Sequence, residues 1–225
     1  MSNADSFIEE VSEEVRRDKL YGLLKRYGWI AVVLILLVVG GAAWSEWSKA
    51  KTRAAAENLG DAMLAALELN DSAARVSALE SITPETGSAA GHPVLEFMLA
   101  AQQAGAEDND AAVATLNALA TNGDVPEIYR QIAAFKALGL AKDSISATEK
   151  RTQYEALARA GAPLRLLAEE QLALLDVEDG NIEGAIERFQ SILDDAEVSS
   201  GLQQRAAQVI VALGGTPDIA VPANG

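Results

Sequence analysis

The sequence predicts an all-α fold, with a single N-terminal transmembrane helix followed by an α-solenoid of stacked helical hairpins. Three observations carry that expectation. Apolar residues fill 49% of the 225 positions but aromatic ones only 5%, and most of the apolar content is Ala and Leu. Ala has no side-chain entropy to lose and lets helix axes approach, so this mix favours packed helices over sheets. The stretch from Trp29 to Trp44 contains no charged residue. Beyond it, amphipathic segments alternate with short breaks rich in Pro, Gly, Asp and Asn.

Residues 1–28 are expected to form a cytoplasmic amphipathic arm. Phe7, Ile8, Val11, Val15, Leu20, Leu23, Leu24 and Tyr27 recur at helical intervals and share roughly one face. Glu9, Glu10, Glu13 and Glu14 come first, and Arg16, Arg17, Lys19, Lys25 and Arg26 follow, an order that complements a helix dipole. Such a helix suits the inner leaflet, its basic end against anionic lipid, or a docking surface on a membrane partner.

Residues 29–47 are the transmembrane candidate. With its flanks the apolar run is about 20 residues, enough to cross a hydrocarbon core of about 30 Å. Trp29, Trp44 and Trp47 sit at its two ends as membrane-interface anchors, since amphipathic rings prefer the headgroup level. The Lys/Arg bias puts the N-terminus in the cytoplasm and everything after Trp47 on the far side of a bacterial inner membrane. A cleaved signal peptide would have a short basic start and a small-residue cleavage site. Here acidic residues precede the run, and Trp44 and Trp47 follow the small cluster Gly40–Ala43, so a retained span is expected.

Residues 48–92 hold membrane-proximal helices and a loop. One helix runs over 50–69, continuous with the span, and a second covers 72–82 before Pro84. Pro84, Gly87 and Gly91 mark Thr83–His92 as a loop. Residues 93–213 form the repeat domain. Pro93, Pro126 and Pro163 stand where helices begin, giving helices at 93–105, 126–141 and 163–178. Each is followed by a second helix, at 109–121, 144–160 and 182–195, and a last one covers 200–213. Residues 214–225 have two prolines and no apolar period, and are expected to be a disordered tail.

An internal repeat is legible in the spacing. Ala100 is followed by Ala112 and Leu116, and Ala173 by Ala185 and Phe189, twelve residues and then four in both cases. Leu138-Gly139 lies 34 residues before Leu172-Ala173. Small residues at a crossing let paired helices pack closely, and a large residue one turn later fills the space to the next unit. The pattern breaks in the middle hairpin, where Arg151 and Glu155 fall at the small and large places. Gly180 stands in the third hairpin's turn where the first has Glu107.

These residues resemble the tetratricopeptide repeat, a helix-turn-helix unit of 34 residues, best over 166–197 and less well over 93–122. The resemblance implies that the first helix of each unit lines a groove for partner proteins. On the two better units that surface would comprise Val94, Phe97, Ala101 and Ala104, and Leu167, Glu170, Leu174 and Val177. The same residues also suit simple packing against neighbouring helices. The whole layout, from RRDKLYGLLKRYGW through the Trp-bounded span to an acidic Ala-rich domain, is similar to the YfgM-type ancillary subunits of the bacterial SecYEG translocon. That similarity implies protein partners: Sec translocon subunits, translocating chains or periplasmic chaperones. A structural adaptor or homo-oligomer that organises envelope assembly or cell division is the alternative.

Other chemistry is disfavoured. Residues 54–225 carry 26 acidic and 10 basic side chains, a surface that repels phosphate backbones, so no nucleic acid is expected. There is no cysteine and one histidine, His92, which leaves no donor set for an ordinary zinc site. No phosphate-binding loop or nucleophile motif is present, so no catalytic residue, cofactor, metal or small-molecule substrate is expected. The acidic clusters Glu107–Asp110 and Asp176–Asp179 are expected to mark helix breaks, with Asp or Asn as caps.

Overall fold

The computed structural model describes residues 3–83, 92–141 and 144–218, with side chains described from Lys25 onward, Ala31 excepted. Nine helices span the described residues. They are α1 (Asn3–Leu67), α2 (Ser72–Glu80), α3 (His92–Gly105), α4 (Asn109–Thr121), α5 (Glu127–Leu140), α6 (Ala147–Leu157), α7 (Arg165–Glu178), α8 (Ile182–Leu193) and α9 (Ser200–Ala212). The chain divides into two compact units, Met1–Asn58 and Leu59–Gly225.

The first unit belongs to α1. From Lys25 onward α1 contains a segment long and apolar enough to cross a membrane, and none of that segment is buried by protein. Trp29, Trp44 and Trp47 are all exposed, and the Trp44 and Trp47 rings lie 5.5 Å apart.

The second unit is a series of small cores, each shared by helices adjacent in the chain. Leu59 and Ala66 at the end of α1 pack with Leu79 of α2 and with Leu95 and Leu99 of α3. Arg75 ties this base together, donating to Gln102 on α3 and to the carbonyls of Leu69 and Asn70. The next core joins α3, α4 and α5 through Ala100, Ala112, Leu116, Leu119, Ala133 and Ala137. A third joins α5, α6 and α7 through Leu138, Tyr154, Ala168, Leu172 and Leu175. The last joins α7, α8 and α9 through Ala173, Phe189, Ile192, Leu202, Ala206 and Ile210. Serial cores of this kind are the physical meaning of a solenoid, in which each unit is stabilised by its neighbours.

The spacing of twelve and four has a direct steric meaning. Ala112, Ala173, Ala185 and Phe189 are fully buried, and Ala100 and Leu116 nearly so. The polar positions repeat as well. Among the described residues Gln103 and Asp176 are the buried polar ones, each three places after the crossing alanine. Gln103 accepts from Thr115 on α4, and Asp176 accepts from Arg188 on α8, twelve residues onward in both hairpins. Asp108 caps α4 by accepting from the Ala111 N–H, and Asn181 caps α8 through the Gly184 N–H.

The middle hairpin departs from the expected register. Gly139 is exposed, and the buried small residues of α5 are Ala133 and Ala137. On α6 the one buried residue is Tyr154, which meets Phe135 edge-on, so the large side chain sits one place before Glu155. α6 is also shorter than the expected 144–160, because Ser146 caps its start and the chain turns after Leu157. Arg151 does not take a small residue's place in a core. It points instead to the acidic end of α7, donating to Asp176 and Asp179.

Two further expectations change. His92 is the first residue of α3 and not part of a loop; residues 84–91, the rest of that expected loop, lie outside the described residues. The tail is held through Asp218, whose N–H donates to the Gln190 side-chain oxygen while its carbonyl accepts from the same amide. Gly214 and Gly215 close α9 with N–H bonds to the carbonyls of Val211 and Ile210. Residues 219–225 lie outside the described residues.

The first and third turns share one backbone form at unequal cost. After α3, the Asp108 N–H reaches the Gln103 carbonyl at 3.0 Å, and after α7 the Asn181 N–H reaches the Asp176 carbonyl at 2.8 Å. That closure needs a left-handed residue, which is Gly180 (φ 78°) in one turn and Glu107 (φ 66°) in the other. A left-handed residue other than glycine costs about 1–2 kcal/mol. Because Glu107 is exposed, Glu107→Gly is expected to stabilise the protein by about 1 kcal/mol, and Gly180→Ala to destabilise it by a similar amount. Thermal unfolding of the whole chain in mild detergent reads both, and a neutral Glu107→Gly would contradict this account of the turn.

Candidate partner-binding surface

The eight groove positions named from the sequence lie on α3 and α7, but they do not share one environment. On α3, Val94 is 45% exposed and Ala101 is exposed, whereas Phe97 and Ala104 pack against the α3–α5 core. On α7, Leu174 is 36% exposed, and Leu167 and Val177 are half-buried. Leu174 lines a cleft of about 410 Å³ together with Gly139, Tyr154, Gln171 and Glu178. Glu170 is taken by its own chain: Arg205 of α9 forks onto both its oxygens, at 2.8 and 2.9 Å.

Ile128 of α5 was not among the eight, and it is 39% exposed. It lies 34 residues after Val94, each near a helix start just beyond a proline. That interval was the signal in the sequence that would have found it. Val94, Ile128 and Leu174 therefore leave one open aliphatic on each of the three first-position helices.

Around α7 the electrostatics are dense. Asp176 is shared between Arg151 of α6, at 2.8 Å, and Arg188 of α8, at 3.1 Å. Arg188 also donates to Glu169, and Arg151 to Asp179. Arg165 at the start of α7 donates to Asp195 and Glu197 beyond α8, at 2.8 and 2.9 Å. These pairs span 12 to 35 residues of sequence and tie α7 to α6, α8 and α9.

The charges respond as expected. Asp179, then Asp176, hold the Arg151 guanidinium above its ordinary value. Burial works against the charge on Arg188, but Glu169 and Asp176 outweigh it. Hydrogen bonds from the Arg165 guanidinium and then the Glu197 N–H pull the Asp195 carboxyl below its usual range. A depressed aspartate adds stability above the ordinary carboxylate range, and that stability is lost as pH falls through the lower folded value. Tyr154 moves the other way: burial, and then the charge of Glu178, push its hydroxyl up.

Among the described residues no group of three or more His, Cys, Asp or Glu is placed to hold a metal ion. The exposed features of the second unit are helix faces and shallow clefts. A sequence profile of the tetratricopeptide repeat-like domain matches residues 24–158, more than half of the chain. The chain belongs to that family. No curated protein and no solved structure matches it.

The tetratricopeptide repeat-like fold is a protein-interaction fold, typically non-catalytic, and it accounts for protein partners in general. The profile begins before the apolar run and ends with α6, although the spacing closest to the repeat is that of α7 and α8. In this member those last helices are held by the arginine pairs as well as by apolar packing.

Asp176 tests that electrostatic share. Its side chain is 8% exposed, against 55% for Asp179, and both serve Arg151. Removing a buried acceptor leaves donors unmet, whereas an exposed pair contributes little. Asp176→Ala is expected to destabilise the protein by about 2–3 kcal/mol and Asp179→Ala by less than about 1 kcal/mol, measured by urea unfolding in mild detergent. Equal effects would show that burial does not set the strength of this network.

Proposed function

We propose that the chain is a membrane-tethered, periplasmic protein-binding scaffold. In this reading residues 29–47 cross the inner membrane once, with residues 1–28 in the cytoplasm. Residues 48–92 lead from the membrane to a repeat domain at 93–213. The observation that supports it most is the pairing of an uncovered apolar helix with a tetratricopeptide repeat-like unit. A tether of this kind keeps the interaction surface beside whatever crosses or sits in the same membrane. The open residues Val94, Ala101 and Leu174 make direct contact with the partner. Phe97, Ala104, Leu167 and Val177 shape the helices beneath, and Glu170 is available once Arg205 releases it.

The partner we favour is the Sec translocon, with this chain as an ancillary subunit that meets translocating chains or periplasmic chaperones. The likeness of the arm, span and acidic repeat domain to YfgM-type subunits supports that choice. The second reading is a structural adaptor or homo-oligomer that organises envelope assembly or cell division, with α9, where Val211 is 60% exposed, as the face on which copies would meet.

Photo-crosslinking separates the two. A photoreactive amino acid at Val94 or Leu174, introduced in growing cells, is expected to capture channel subunits or translocating chains. The same group at Val211 is expected to capture much less. Adducts containing only second copies of this chain, from all three positions, would contradict the translocon reading and support the adaptor.

A further inference from the structure

Beyond α9 the chain turns back and reaches α8 at Asp218, and glycines fix the route. Gly214 takes the left-handed form (φ 85°), and a Cβ on Gly215 would stand 2.9 Å from Ile210 Cγ2 and 3.2 Å from Ile186 Cδ1. Only a residue without a side chain lets the main chain pass so close to both helices. Pro217 disfavours helical backbone at Thr216, so the segment after the glycines continues without helix.

One side chain makes the polar contact with that segment. Gln190 Nε2 donates to the Asp218 carbonyl at 2.8 Å, and Gln190 Oε1 accepts from the Asp218 N–H at 3.0 Å. Nε2 also donates to Asp194 at 3.1 Å; a carboxylate only accepts, so that bond fixes which way the amide faces. Both main-chain groups of one residue are thus met by a preset amide, as they would be by a neighbouring strand. The Asp218 carboxylate has no hydrogen bond or ion pair among the described residues, so the polar contact selects no side chain. Gln190 is half-buried on α8, and the contact lies at the surface rather than in a core.

We propose that Gln190 is a main-chain clamp for an extended segment of a partner polypeptide, and that residues 216–218 hold it in cis until such a segment replaces them. The clamp asks of an incoming chain one residue with an N–H and a carbonyl, any residue but proline, and no particular side chain. It therefore suits a partner that is unfolded and varied in sequence. Only ordinary hydrogen bonds at the surface hold Asp218 there, so its displacement costs little. A tail that fills the clamp in about nine molecules of ten lowers the apparent affinity of a competitor about tenfold. The inference rests on the protein-binding reading above and names what is recognised, main chain rather than sequence.

The test measures, by fluorescence anisotropy in mild detergent, how tightly the full chain binds a labelled, reduced and alkylated protein that cannot refold. A chain lacking residues 216–225 is expected to bind that probe about tenfold more tightly. Gln190→Leu in the shortened chain, and likewise Gln190→Ala, is expected to remove the gain. Gln153→Leu, which breaks a comparable side-chain bond on α6, is expected to keep it. No gain on shortening, or a gain that survives both Gln190 variants, overturns the clamp and leaves protein binding standing. Failure of every chain to bind the probe overturns both.

Discussion

Everything in this protein is arranged around an uncharged helical stretch that the protein itself does not cover. Nine consecutive large aliphatics, interrupted only at Ala31, stand exposed from Ile30 to Val39. Burying one such side chain is worth about 1.5–3 kcal/mol, so together they represent roughly 15–25 kcal/mol of apolar surface seeking cover. That exceeds the about 5–15 kcal/mol by which a whole domain is stable. Such a surface calls for cover, and a bilayer on the tryptophan-bounded stretch is the cover we propose. Once that is granted, the acidic, alanine-rich second unit is a body held at a membrane surface, and its open faces are where a partner meets it.

Within that unit the recurring constraint is the small crossing residue. Ala112, Ala133, Ala168, Ala173, Ala185 and Ala206 have no exposed surface, and a larger side chain at any of them would push two helix axes apart. The helices α3, α4 and α5 close on apolar residues and the Gln103–Thr115 hydrogen bond. The helices α6 to α9 add a net of arginine pairs converging on α7. The same alanines that close the hairpins leave little apolar area for binding, so the open aliphatics on the first-position helices are few and separated.

Much of this was legible because its causes are local. Pro126 precedes α5, and Asp108 and Asn181 cap α4 and α8, so proline and polar breaks located those helix starts. The alanine spacing in the outer two hairpins translated directly into buried contacts. The middle hairpin misled because Gly139 looks like a crossing residue while its backbone faces water. The buried residues there, Ala137 of α5 and Tyr154 of α6, lie in different cores and do not keep the twelve-and-four interval. Arg151, placed where the pattern wants a small residue, made sense only when Asp176 and Asp179 were seen beside it. The eight positions taken from the repeat all fall on α3 and α7, but Glu170's capture by Arg205 depends on a contact across 35 residues. The helical period of α5 did not mark Ile128 as exposed; only its 34-residue interval from Val94 pointed to it.

The chain contains no cysteine, so a single one placed in the second unit reports that unit's side of the membrane without interference. Ser191→Cys on α8 and, separately, Ser12→Cys in the arm would be exposed in intact spheroplasts to a maleimide that cannot cross the membrane. The account predicts labelling at position 191 in full-length protein, and labelling at position 12 only after lysis. Labelling at position 12 in intact spheroplasts, or protection of position 191, would contradict it.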